Sequence, residues 1–340
     1  MSKVIYLPFE NLPQRYTKMW NDSFIAQMSK EDVIVWGKDK KATQIKNGEF
    51  LDTYGTIAYK ASQMQELAKE FQKGTIENGD VFFVPDIFYP GLAAIRYMAE
   101  LSHINVKIVA FNHAGRADEN DFVQLLGKWS DAQEQAWHDI CDVVIVGSDY
   151  HRKRVENAFH PKKTIVAGAV WSAEWMRNFT RNFTGVRKEK YIIWPHRPCK
   201  EKQFSLFLEI AKANPKLQFL ITSSGGNRLQ GVELPENVSY MYNLTKKQYY
   251  KLFAKADGYL STALQETFGY TLQEAIFFKC KIIVPDYACY REYAHRDSIY
   301  KFEDMTLPEH LTFLYQNRNL CQSTQHEDNA KHFYEICKKA

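Results

Sequence analysis

The chain has 340 residues, 45% of them apolar and 25% charged, with 44 Lys and Arg against 40 Asp and Glu for a net charge of +4. That length fits about two domains, and that balance excludes a disordered chain, a collagen or a coiled coil. The unusual quantity is aromatic content: 20 Tyr, 22 Phe and 7 Trp are flat side chains suited to cores, sugar faces or base faces.

Short β-branched runs alternate with longer amphipathic stretches, the pattern of βαβ units and parallel sheets. Strands are expected at residues 4–7, 33–36, 81–84, 106–111, 143–146 and 164–166, with helical spacing over 58–72 and 90–101. These compose a Rossmann-like domain over 1–170. Residues 171–190 have poor periodicity and read as a basic, aromatic linker. A second alternation fills 191–325, with strands at 191–194, 217–221, 238–241, 258–261 and 282–284 and helices at 203–213, 245–256 and 272–279. The expected fold class is α/β, with two doubly wound domains facing a central cleft, where open α/β folds bind ligands.

No apolar run approaches eighteen residues, so no membrane span is expected. The apolar stretch at the N-terminus is too short for a signal peptide. Six scattered cysteines without a C-x-x-C pair read as reduced thiols of a cytoplasmic protein. No G-x-G-x-x-G is present, which argues against a nicotinamide enzyme. Asp118-Glu119-Asn120-Asp121 lacks D-x-D spacing, so neither metal nor cofactor is expected.

The most informative segment runs from Ser261 to Ala275. A strand ends at Ser261, a loop carries Glu266, and Gly269 stands where a helix begins. Free backbone N–H groups at such a helix start can hold a phosphate, helped by the helix dipole. Glu274 lies about one and a half turns further in, within reach of hydroxyls on the same ligand. On spacing alone, an ordinary loop followed by a solvated helix face is the better reading.

Glu266-Thr267-Phe268-Gly269-Tyr270-Thr271-Leu272-Gln273-Glu274-Ala275 resembles the E-x-F-G-x-x-x-x-E-A signature of family 4 GT-B glycosyltransferases. The resemblance implies that Glu266 lies against a donor sugar and that Glu274 binds the ribose hydroxyls of a nucleotide-sugar, expected to be uridine-linked. Phe268 and Gly269, with Thr267 and Tyr270, would meet the sugar and diphosphate, and Ser223 and Asn243 are assigned to the same ligand. An Arg and a Lys five apart follow the first strand of the family's second domain, and Arg197 and Lys202 fit. A diphosphate leaving group needs such charge: Arg offers a fork and Lys a point charge. His113, after the fourth strand, matches a His that touches the donor sugar. The resemblance further implies retention of anomeric configuration without a metal, and a final helix over 326–340 folding back on the first domain. The loop over residues 8–17 departs from the family in having no glycine.

The acceptor is read from charge distribution. Residues 151–190 hold ten Lys and Arg against three acids, a local charge of +7, so the rest of the chain is at −3. Tyr150, Phe159, Trp171, Trp175, Phe179 and Phe183 are interleaved. Basic residues with aromatics suit a phosphate backbone and stacked bases; they suit anionic lipid headgroups, or a solvated connection, as well. Arg152, Lys153 and Arg154, with Arg15, Tyr16 and Asp86, are the candidate acceptor contacts. The motifs are also similar to those of tRNA-queuosine mannosyltransferases and of phage enzymes that glycosylate hydroxymethylated pyrimidines in DNA. That implies a nucleic-acid acceptor, DNA ahead of tRNA. A lipid-linked or surface glycan acceptor and an inactive nucleic-acid-binding protein are the alternatives.

Overall fold

The computed structural model describes residues 2–12, 15–38, 53–183, 185–223, 226–303, 311–312, 315 and 328–340. The chain divides into two compact units. Unit 1 is Met1–Ser172 with Asp328–Ala340, and unit 2 is Ala173–Glu327.

Runs such as Val-Phe-Phe-Val at 81–84 and Val-Val-Ile-Val at 143–146 have no polar alternation, so both of their faces must be covered. They are strands of a parallel sheet in unit 1, made of β1 (Val4–Tyr6), β2 (Val33–Ile34), β3 (Val81–Val84), β4 (Lys107–Asn112), β5 (Val143–Val146) and β6 (Thr164–Val166), in the order β2-β1-β3-β4-β5-β6. Phe82 pairs in register with Ile5 on one side and Ile108 on the other. One face packs Ile5, Phe82, Ile108 and Val144 with Leu67 of helix α2 (Thr53–Lys73) and Leu92 and Ile95 of α3 (Leu92–Leu101).

The opposite face is an aromatic layer. Phe24 of α1 (Thr17–Ile25) lies 4.6 Å from both Tyr6 and Phe83, and Trp20 lies 5.0 Å edge-on from Phe111. The C-terminal helix Ala330–Lys339 closes this layer: Phe333 meets Trp20, Phe83 and Phe111. The Tyr334 hydroxyl donates to Asp32 at 2.7 Å, and the Asn329 amide donates to the Ala167 and Ala169 carbonyls. Much of the aromatic excess is this core.

Two helices of unit 1 carry polar side chains on their buried faces. In α4 (Trp129–Ile140) Ser130, Glu134 and His138 point inward, and in α5 (Asp149–Phe159) His151 joins Val155 and Phe159.

Unit 2 repeats the architecture with β7 (Glu189–Trp194), β8 (Phe219–Thr222), β9 (Val238–Met241), β10 (Ala256–Leu260), β11 (Lys281–Pro285) and β12 (Ile299–Tyr300), ordered β12-β11-β10-β7-β8-β9 and parallel. Trp194 stacks on Phe207 of α7 (Phe204–Ala213) at 4.7 Å in its core. Residues 171–190, read above as a linker, hold helix α6 (Ala173–Thr180), whose Ala173, Met176 and Thr180 are buried. One inward residue per turn over eight positions is too short a pattern to register as a period. Several aromatics of the basic stretch serve packing, although Phe179 remains exposed. Trp171 is buried, Phe159 stacks on His138 at 4.4 Å, and Phe179 stacks on Trp175 at 4.8 Å and meets Tyr250 edge-on. Among the described residues no helix is long and apolar enough to cross a membrane.

Candidate functional site

The carboxyl ends of the strands in unit 2 carry the motif residues. After β7 the chain runs through His196 and Arg197 to Lys202; after β8 comes Ser223, after β9 Asn243, and after β10 the loop 261–269 leading into α9 (Tyr270–Phe277). Two of these loops are stitched together by hydrogen bonds. Lys202 Nζ donates to the Gln265 carbonyl at 2.6 Å and to Glu266 Oε1 at 3.0 Å. The Thr262 hydroxyl donates to the Lys202 carbonyl at 2.6 Å and accepts from the Trp194 indole N–H at 3.0 Å. The Gln203 amide donates to the Thr262 carbonyl, and the Leu264 N–H to the Glu201 carbonyl. Gln203 adopts a left-handed backbone, φ 49°, where the short turn 200–202 gives way to α7.

Arg197 Nη2 donates to Glu201 Oε1 at 2.6 Å, which folds the guanidinium back along its own loop. His196 is buried, 4.0 Å from Glu266 Oε1. Burial first, then the charges of Lys202 and Arg197, hold its imidazole well below the usual histidine range, so it is neutral near pH 7. The local charge is therefore two cations facing two carboxylates, with no third cation from His196.

Gly269 precedes α9 with φ +73°, the left-handed region that glycine enters without steric cost. Phe268 beside it is buried, edge-on to Tyr270 at 5.2 Å and to Tyr293 at 5.4 Å. Glu274 is buried too, and both of its oxygens are already engaged. Lys246 Nζ lies 3.2 Å from Oε1, and the Tyr249 hydroxyl donates to Oε2 at 2.5 Å. Both partners come from α8 (Lys246–Lys255).

In unit 1 the corresponding strand ends gather His113, Tyr16 and Asp86. His113 Nε2 sits 2.9 Å from the Pro85 carbonyl and its Nδ1 3.4 Å from the Tyr16 hydroxyl, with the rings of Phe9, Trp20 and Phe111 around it. Burial lowers the His113 pKa against the pull of Asp86. Asp86 pairs with Lys60 at 2.7 Å. Burial works against its ionisation, but Lys60, His113 and the Phe88 N–H outweigh it and hold the carboxyl below its usual range. Arg15 lies one residue from this cluster, its N–H bonded to the Leu12 carbonyl.

Arg152, Lys153 and Arg154 lie in the first half of α5, among acids. Arg152 pairs with Asp149 and Glu156 at 2.6 Å each, Lys153 with Asp149 at 2.8 Å and Arg154 with Glu119 at 3.2 Å. Lys188 of the same basic stretch donates to the Ala256 and Phe278 carbonyls inside unit 2. Among the described residues no group of three His, Cys, Asp or Glu side chains is arranged to hold a metal ion.

Sequence reading missed Lys60, Glu201, Lys246 and Tyr249. One signal pointed to the last two. Thr245 and Gln248 form a capping box, readable as T-x-x-Q, which marks the start of α8 and places positions 246 and 249 on one face of it.

No protein-family model matches the chain, and no curated protein sequence matches it either. Solved structures do. Sucrose-phosphate synthase from Thermosynechococcus elongatus superposes with a TM-score of 0.69 at 10% identity, over 99% of this chain and 95% of that one. HepE from Anabaena, solved with UDP, gives 0.61 at 10% identity over 99% and 95%. A UDP-forming α,α-trehalose-phosphate synthase from Burkholderia vietnamiensis gives 0.62 at 11% identity over 99% and 95%. With its two parallel six-stranded sheets, the chain has the GT-B fold, the α/β class expected from its sequence.

Proposed function

We propose that this protein transfers a sugar from a UDP-sugar to an acceptor hydroxyl. The observation that carries the reading is the Lys202–Glu266 pair at 3.0 Å, with Arg197 on the same loop and the Gly269 helix start beside it. Departure of UDP develops negative charge on the diphosphate. Lys202 and Arg197 supply the countercharge, and the first N–H groups of α9 supply oriented donors. Glu266, held by Lys202, is placed to accept hydrogen bonds from sugar hydroxyls. Transfer by this machinery needs no metal, and retention of configuration follows the family resemblance. UDP-binding proteins of the same fold support the choice of nucleotide.

A hydroxyl on a modified nucleobase is the narrower reading of the acceptor. It rests on the +7 charge of residues 151–190 and on the resemblance to nucleic-acid-modifying enzymes. The acids paired with Arg152, Lys153 and Arg154, and the enclosure of Lys188, reduce what that stretch offers to a phosphate backbone. A glycan acceptor, lipid-linked or on a surface, makes no such demand and is the second reading.

The deciding assay follows UDP release from UDP-glucose and other UDP-sugars, alone and with hydroxymethylated duplex DNA, tRNA or glycan acceptors. Release above the uncatalysed rate, lost in Lys202→Ala, supports the transferase. No release with any donor and acceptor pair, together with retention on DNA, leaves a binding protein. Acceptor-stimulated release with glycan alone removes the nucleobase reading.

A further inference from the structure

Glu274 is the carboxylate assigned to the ribose, and its surroundings carry more than that assignment. Its side chain is 5% exposed, so its orientation is set by protein rather than water. Oε1 takes Lys246 Nζ at 3.2 Å and Oε2 the Tyr249 hydroxyl at 2.5 Å. The side chain of Tyr250, the next residue of α8, also hydrogen-bonds the carboxylate. A carboxylate offers about four acceptor positions, so these donors leave room for a ligand hydroxyl.

Lys246 and Tyr249 are themselves held. The Lys246 ammonium lies over the rings of Tyr249 and Tyr250, 5.1 and 4.6 Å from their centroids, and cation–π attraction keeps it beside the carboxylate. Burial first, then the negative charge of Glu274, raises the Tyr249 pKa well above the usual tyrosine value, so the phenol stays protonated and donates. The capping box fixes the start of α8: the Gln248 N–H donates to the Thr245 hydroxyl at 3.3 Å, and the Thr245 N–H donates to Gln248 Oε1 at 2.9 Å. Lys246 and Tyr249 therefore present their donors from a helix end that does not fray.

We propose that Tyr249 and Lys246 are positioning residues that lock the Glu274 carboxylate into the orientation that reads a vicinal diol, so that the site selects ribonucleoside over 2′-deoxyribonucleoside diphosphates. The inference rests on the UDP-sugar reading above. Neither residue touches the nucleotide in this account; each acts through Glu274.

The test is isothermal titration of the full chain, wild type and variants, with UDP and with 2′-deoxy-UDP. Wild type is expected to prefer UDP by about tenfold, the size of one lost hydrogen bond to a charged group. Tyr249→Phe removes only the hydroxyl. It is expected to cut that preference below about threefold while 2′-deoxy-UDP affinity changes by less than about twofold. A purely structural role would weaken both nucleotides alike, and that result overturns the inference. So does an unchanged preference in Tyr249→Phe, or a wild type that binds both nucleotides equally. Lys246→Met removes another donor and is read the same way, so the inference is decided even where Tyr249→Phe does not fold. Folded wild type that binds no UDP overturns the donor reading itself.

Discussion

Lys202 Nζ sits 3.0 Å from Glu266 Oε1 and 2.6 Å from the Gln265 carbonyl, so one ammonium ties the loop after β7 to the loop after β10. Each group is mostly buried, at 12% and 18% exposed, and each satisfies the other. Lys202→Ala removes the proposed leaving-group cation and strands a carboxylate at the same time. Turnover is expected to fall by about two to three orders of magnitude, the size of one lost charge-stabilising donor. Lys202→Arg is expected not to rescue it, because a planar fork cannot occupy the place of a point charge held between two acceptors. Steady-state UDP release checks both: near-normal turnover in Lys202→Ala removes Lys202 from the machinery, and near-normal turnover in Lys202→Arg shows that any cation suffices there.

Arg197 is paired with Glu201 at 2.6 Å, and its side chain is 33% exposed. In the proposed donor site, ligand phosphate competes with Glu201 for the fork. Arg197→Ala is therefore expected to lower kcat by about two to three orders of magnitude, whereas Glu201→Gln, which weakens the competitor, is expected to lower the KM for UDP-sugar. A rise in KM in Glu201→Gln would mean that Glu201 orients Arg197 rather than competes for it.

The two halves of the proposed donor site differed in how legible they were. Glu266, Phe268, Gly269 and Glu274 form one local unit, a strand, a turn that needs glycine and a helix start, so a contiguous motif encodes them. Lys246 and Tyr249 reach Glu274 only because α8 lies against α9, and no local pattern encodes that approach. Helix α4 was illegible for another reason. Its fully buried residues Ser130, Glu134 and His138 are polar, and Trp137 and Ile140, which pack on the core, are only partly buried, so its apolar stripe is short. The charge of residues 151–190 was legible, and so were the helix partners Asp149 and Glu156 of Arg152 and Lys153, but the partner of Arg154 was not: Glu119 is 35 residues away.

His151 gives a prediction on the acid side. It is fully buried, and neither ring nitrogen has a hydrogen-bond partner among the described residues. Burial first, then the nearby His113, His138 and Arg154, lowers its pKa to about 3. The unfolded chain takes up a proton near pH 6.5 while the folded chain does not, so stability is present above that pH and is lost as pH falls toward about 3. At pH 5 the loss from this group is about 2 kcal/mol. Urea unfolding at pH 7 and pH 5 is expected to show His151→Leu losing less stability than wild type by about that amount. Equal losses would place the acid sensitivity elsewhere.

Glu134 works in the opposite direction. It is buried, and both oxygens accept from the Arg116 N–H, at 3.1 and 3.0 Å. Burial first pushes its pKa up to about 7, the Arg116 N–H opposes this, and Asp121 adds to it. A raised pKa means the folded state holds its proton longer. The contribution is present below about pH 4.5 and is lost as pH rises through about 7. Between pH 5 and pH 8, Glu134→Gln is expected to lose about 2 kcal/mol less stability than wild type. Thermal melts at the two pH values test this, and parallel curves for the two proteins would refute it.

Gly269 separates backbone geometry from donor binding. At φ +73° a side chain is strained by about 1 to 2 kcal/mol, and a Cβ there would be in van der Waals contact, 3.4 Å, with the Leu272 Cβ at the first turn of α9. Relief of that strain rotates the turn and re-aims the N–H groups expected to meet the diphosphate. Gly231 supplies the control, because its φ is +80° yet nothing lies within 4 Å of a Cβ added there. Both Gly269→Ala and Gly231→Ala are expected to lose about 1 kcal/mol of stability. Only Gly269→Ala is expected to weaken UDP binding, by about five- to tenfold, because only there does the backbone shift reach the proposed donor site. Urea unfolding measures the first quantity and UDP titration the second. If UDP affinity is unchanged in Gly269→Ala while its stability falls, the start of α9 does not hold the diphosphate, and the donor must be anchored by Lys202, Arg197 and Glu274 alone.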